Sequence, residues 1–177
     1  MGQMSFRLPT GISDVLADDL TRSSVAGGHD YSPKPTRCTV SEQLLTLTRD
    51  CSDSGPVFIP WEVPRFGRMM TKTVTLIERD NPYQLPIELA RGKINQVRNQ
   101  LADWISGGLP PAPAVEALLR QATRVFGQAI LDIPQPLAYR QADEALALAF
   151  EASSLLVKAY QTQVFKLRHQ RQARFDT

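Results

Sequence analysis

Histidine and cysteine are scarce in this chain, with two of each among 177 residues, and that scarcity removes several kinds of chemistry together. His29 stands in a Gly-rich stretch and His169 in a basic tail, while Cys38 and Cys51 lack metal-ligand spacing, so no zinc-type centre and no cofactor is implied. The cysteines fall on neighbouring strands of one hairpin whose turn lies near Ser41 to Gln43. That register sets Cys38 opposite a residue near Thr46 and leaves Cys51 beyond disulfide reach, which predicts two free thiols. Net charge is also low, formally +2, and the basic residues are not interleaved with aromatics, so nucleic acid is not an expected partner. The one local excess, Lys166, Arg168, Arg171 and Arg174 against Asp176, complements a helix C-terminus. Apolar runs stop well short of the about 18 residues that cross a bilayer. Met1 to Pro9 has no secretion-signal pattern, so a chain that starts naturally at Met1 is expected in the cytoplasm.

Nucleophilic and phosphate-binding motifs are missing as well. Gly27-Gly28 and Gly107-Gly108 are isolated pairs outside any strand-then-helix frame, and Asp53-Ser54 before Gly55-Pro56 reads as a turn with no helix after it. Glu62, Glu78, Asp80 and Glu88 cluster near the middle of the chain, but Arg65, Arg68, Arg79 and Arg91 are close enough to pair with them. Paired structural carboxylates are therefore expected in place of an acid and base in unlike environments. The chain alone is expected not to be an enzyme.

What the sequence does contain is a change of period at Pro86. Before it, short alternating segments predict strands at Ser5 to Leu8, in a hairpin from Arg37 through Leu47, at Val57 to Val63, and at Met70 to Glu78. Ser13 and Asp14 suit the start of a short helix, and Ala26 to Pro35 has loop composition. Pro60 and Pro64 require the third strand to lie at an edge or to be bulged near its end. After Pro86 the spacing turns helical. Ile87, Ala90, Ile94, Val97, Leu101 and Trp104 form one stripe, which ends at Ser106-Gly107-Gly108. Gly92 inside that helix predicts a close backbone approach. Val115 to Ile130 makes a second helix, stopped by Ile133-Pro134-Gln135-Pro136. A third runs from about Leu137 to about His169, with Ala142, Ala145, Ala149, Ala152, Ser153 and Ala159 on an inner face with Leu146, Leu156, Tyr160, Val164 and Leu167. Small side chains at that spacing allow a tight antiparallel bundle.

The expected fold is thus α+β, one small antiparallel sheet of four or five strands covered by a three-helix layer. Residues 1–82 form the sheet region and 83–177 the helical region of what reads as one domain. The third helix should overhang the second, exposing Val164, Phe165, Leu167 and Phe175 as a partner surface or a site of self-association. Aromatics on a small sheet can also stack on sugar rings. Phe58, Trp61, Phe66 and Tyr83 are the candidate platform, with Glu62 or Arg68 bonding hydroxyls, although Trp61 shares the parity of the core residues Val57 and Ile59.

Three stretches carry a family resemblance: Ser52 to Gly55, Trp61-Glu62-Val63-Pro64-Arg65-Phe66-Gly67-Arg68, and Glu78 to Gln100, of which Leu85 to Gln100 is the most specific. The chain from about Phe6 to about Arg171 resembles the region that precedes the barrel in xylanase-like bacterial proteins of glycoside hydrolase family 10. The resemblance implies a parent protein that hydrolyses β-1,4-xylan with two glutamates in a barrel of roughly 250 residues. No such barrel fits here, so neither glutamate maps onto this sequence. What is implied is a non-catalytic accessory domain that contacts polysaccharide or docks on the barrel, with a helix-mediated interaction module as the alternative.

Overall fold

A computed structural model describes residues 1–27 and 32–172. The elements run β1 (Gly2–Arg7), α1 (Asp14–Leu20), β2 (Ser24–Gly27), β3 (Ser32–Lys34), β4 (Arg37–Ser41), β5 (Leu44–Arg49), β6 (Gly55–Val63), β7 (Gly67–Leu76), β8 (Tyr83–Gln84), α2 (Leu85–Ser106), α3 (Pro113–Leu131) and α4 (Pro136–Gln172). The fold is α+β with a long C-terminal helix.

The strands divide into two four-stranded sheets, ordered β4-β5-β1-β8 and β3-β2-β6-β7, in place of the single sheet expected. Two features escape sequence patterning. The stretch with loop composition takes in the second half of β2 and all of β3, paired antiparallel at Val25↔Lys34, Ala26↔Pro33 and Gly27↔Ser32. The loop assignment of residues 28–31, His29 among them, lies outside the described residues. Second, β8 is only two residues long and lies parallel to β1, Phe6 beside Tyr83 and Arg7 beside Gln84, immediately before α2.

Other local readings hold. Ser13 caps α1, its Oγ accepting from the Leu16 amide at 3.2 Å. The β4–β5 turn sets Cys38 opposite Leu47, one residue from the expected register, and both cysteines are free thiols. Strand β6, by contrast, is neither an edge strand nor bulged near its end: it lies between β2 and β7, and its register shift falls near its start, between Pro56 and Phe58. Its pairing with β2 stops at Phe58, so Pro60, which has no amide hydrogen, lies where, among the described residues, β7 alone pairs with it.

The two sheets and the helices share one core. Met4, Phe6, Leu45 and Leu47 from one sheet join Val57, Ile59, Trp61 and Val63 from the other, together with Ile87, Leu89 and Leu146 from α2 and α4. Helix α2 packs on β7 where Gly92 meets the backbone. A methyl at Gly92 would lie 2.1 Å from the Lys72 carbonyl oxygen, which is the close approach that a glycine inside a helix implies. A second cluster, Val97, Leu101, Leu109, Val115, Leu119, Ala152 and Leu156, fills the space among the three long helices.

Along α4 the expected inner face needs correcting in both directions. Ala145 to Phe150 are buried consecutively, because the helix is enclosed there by α2, α3 and β6 rather than covered on one side. Further along, Tyr160 and Leu167 are largely exposed and Val164 only half-buried. The physical reason is that α3 begins at Pro113. Its first turn and the 109–112 loop line a cleft with Leu155 to Lys166, and among the described residues nothing comparable lies beyond.

Candidate functional site

The four candidate sugar-stacking aromatics are not brought to one surface. Trp61 is 3% exposed and its indole Nε1 donates to Asp143 Oδ1 at 3.0 Å, so the parity that assigns it to the core is the deciding signal. Tyr83 is buried as well. Its ring stacks on Phe6 at 5.6 Å between centroids, the Arg79 guanidinium lies 3.5 Å from its centroid, and its hydroxyl donates to the Ile77 carbonyl. Phe66 is half-buried against Phe150, 5.5 Å between ring centroids. Phe58 is half-buried on β6, across from Ser24 and Lys72. The platform expected from Phe58, Trp61, Phe66 and Tyr83 is therefore not assembled: two of the rings serve the core and a third leans on α4. Glu62 and Arg68 do lie opposite one another across β6 and β7, but Arg68 is held by Asp19 of α1 at 3.1 Å.

The carboxylates disperse in the same way. Glu78 accepts from Arg49 Nη2 at 2.9 Å and from Ser52 Oγ at 2.7 Å, and these donors, Ser52 first, hold its carboxyl below the ordinary range. Glu88, buried in the first turn of α2, lies 3.1 Å from Arg91 in an ion pair too oblique for a hydrogen bond. Burial raises its carboxyl despite that arginine and Arg79. Asp80 is exposed. Among the described residues no group of three or more His, Cys, Asp or Glu could hold a metal ion, and no helix is long and apolar enough to cross a membrane.

One half-buried and one buried polar group were not anticipated. Asp143 lies on α4 beside its alanine-rich stretch, and burial pushes its carboxyl up to about 6. A buried tryptophan needs a partner for its indole N–H, so the core parity of Trp61 was the available signal. Arg49 is the other, with its guanidinium enclosed at the end of β5. Its parity with the core residues Leu45 and Leu47 on β5 was the available signal.

What the fold does present is the outer side of α4. Val157, Tyr160, Val164 and Leu167 follow one another at steps of three, four and three, which places them on one stripe of the helix. Leu167 is 52% exposed and the adjoining Phe165 57%. Tyr160 stacks on Trp104 of α2 with ring centroids 4.5 Å apart, tying the start of the stripe to the bundle. Gln163 Nε2 donates to the Gly108 carbonyl, and alongside it a cleft of about 530 Å³ opens between α4 and the Pro110-Pro111 loop. Of the candidate interaction residues, Val164, Phe165 and Leu167 thus lie close together, while Phe175 falls outside the described residues. Protein-family models, curated proteins and solved structures were all compared with the chain, and none matches it.

Proposed function

We propose that this chain is a non-catalytic docking module that attaches to a neighbouring protein surface through the late part of α4. On the family resemblance of Leu85 to Gln100, that neighbour is the catalytic barrel of a xylanase-like protein of glycoside hydrolase family 10. The observation that supports docking is the Val157–Tyr160–Val164–Leu167 stripe. Its members repeat at heptad-like spacing, remain at least partly open to solvent and continue the apolar edge of the bundle. The scattering of Trp61, Phe66 and Tyr83 gives a sugar-stacking role little to stand on.

The test is a titration of the chain with a family 10 barrel supplied in trans, followed by calorimetry, beside light scattering of the chain alone. Binding that disappears in the Val164→Asp/Leu167→Asp variant, with circular dichroism unchanged, is the expected result. A homodimer dissolved by the same changes would transfer the stripe to self-association. Neither complex forming at any accessible concentration would overturn docking by this helix.

A further inference from the structure

A second surface lies between α2 and α3, on residues separate from the α4 stripe. Two hollows of about 630 and 300 Å³ follow one another along the groove and share Arg98 and Thr123 in their walls. Their linings pair early α2 with late α3 and late α2 with early α3, so the helices run antiparallel and the groove follows their length. The floor is apolar, with Ile94 and Leu101 from α2 and Leu119 and Phe126 from α3.

The rims are cationic. Arg91 and Arg98 stand seven positions apart on α2, two helical turns along one face, and Arg120 and Arg124 stand one turn apart on α3. Among the described residues, two carboxylates pair with these four guanidiniums. Glu88 is buried against Arg91 at 3.1 Å, and Glu116 lies 3.6 Å from Arg120. Arg98 and Arg124 are exposed and make no side-chain hydrogen bond or ion pair with any described residue. An arginine fork free on both sides of an apolar trough is shaped for a planar carboxylate beside a buried aliphatic group.

From these features we infer that the α2–α3 groove binds an amphipathic helix of a partner protein, its apolar stripe on the floor and its flanking Asp or Glu side chains on Arg98 and Arg124. Charge complementarity selects the occupant. A bare polyanion such as nucleic acid would satisfy the arginines and leave the floor wet, whereas a basic helix would meet like charge on both rims. The span from Arg91 to Ile105 is about 21 Å at 1.5 Å per residue, which matches about four turns of a bound helix. The inference does not rest on docking by α4, because no residue of the stripe lines this groove.

Two labelled helical peptides with the same leucine stripe, one flanked by glutamate and the other by lysine, provide the test, titrated into the full chain and followed by fluorescence anisotropy. The glutamate-flanked peptide should bind at least about tenfold more tightly, and added salt should weaken it. Arg98→Glu with Arg124→Glu should invert the preference. Arg98→Gln with Arg124→Gln should erase it, and it provides a milder variant should the reversal disturb folding. Val164→Asp/Leu167→Asp should leave the affinity unchanged, which separates failure here from failure of the α4 surface. Equal affinity for the two peptides, no binding of either, or equally tight binding of poly-glutamate without the leucine stripe would each overturn the inference.

Discussion

The Trp61 indole N–H donates to the Asp143 carboxylate at 3.0 Å and so joins β6 to α4 across 82 positions of sequence. The bond satisfies a buried indole, but it places an ionisable acid in an apolar seam. Burial outweighs the hydrogen bond, and the Asp143 carboxyl titrates near 6 where 3.8 is ordinary.

A carboxyl whose folded pKa is raised lets the folded state bind protons more readily than the unfolded one. Stability from this site is therefore greatest below the ordinary pKa and declines as pH rises through the interval up to about 6. Asp143→Asn keeps an oxygen to accept from Trp61 and removes the charge. Above about pH 7 the variant should be more stable by up to about 3 kcal/mol, and the gain should vanish below about pH 4. Urea titrations at the two pH values check this, and a variant equally destabilised at both would show that ionisation of Asp143 costs no stability and that the amide itself does not fit the site.

Gly92 and Gly127 supply a matched pair within helices. A methyl at Gly92 would meet the Lys72 carbonyl oxygen at 2.1 Å and the Thr73 backbone at 2.9 Å, whereas one at Gly127 meets nothing within 4 Å. Helix propensity favours alanine at either site by about 1 kcal/mol. Gly127→Ala should therefore stabilise by up to that amount, while Gly92→Ala should lose about 2 kcal/mol because α2 must lift from β7. Thermal melts of the two variants should move in opposite directions.

The buried member of the Arg49–Glu78 pair is the arginine, with side-chain exposures of 1% against 23%. Its Nη2 donates to Glu78 and to the Asp53 carbonyl, while Nε and Nη1 find no hydrogen-bond partner among the described residues. Removing the carboxylate strands a charge away from water, and removing the arginine leaves an acid that water can reach. Glu78→Ala should therefore cost about 3 kcal/mol or more and Arg49→Met distinctly less, by chemical denaturation. Because the Glu78 pKa is lowered, its contribution is present above the ordinary carboxylate range and lost as pH falls through the folded value.

How much of this was legible in the sequence depends on how long each signal runs. Ile87 to Trp104 repeats through six apolar positions and stops at Ser106-Gly107, so α2 could be bounded closely. Gly92 likewise announced its neighbour before that neighbour was known. Strands β2 and β3 have four and three residues and include Gly27, Ser32 and Pro33, so turn composition masks their pairing. Strand β8 is too short to show any period. Among the candidate site residues, Trp61 was placed by its parity with Ile59, but Tyr83 stands at the end of a turn where parity has no meaning. The exposed stripe of α4 was legible as apolar spacing. Which of its members remain outside the bundle depended on where α3 begins, and a single helix carries no such information.

The short parallel contact between Tyr83-Gln84 and Phe6-Arg7 precedes α2 by no residues at all, so the middle of the polypeptide is stitched to its first strand at the point where the helices begin. During synthesis, β1 must wait for more than eighty residues to emerge before its last neighbour arrives. A cut at Pro82 would leave two pieces, each with core side chains bared to water, so neither half is expected to fold by itself.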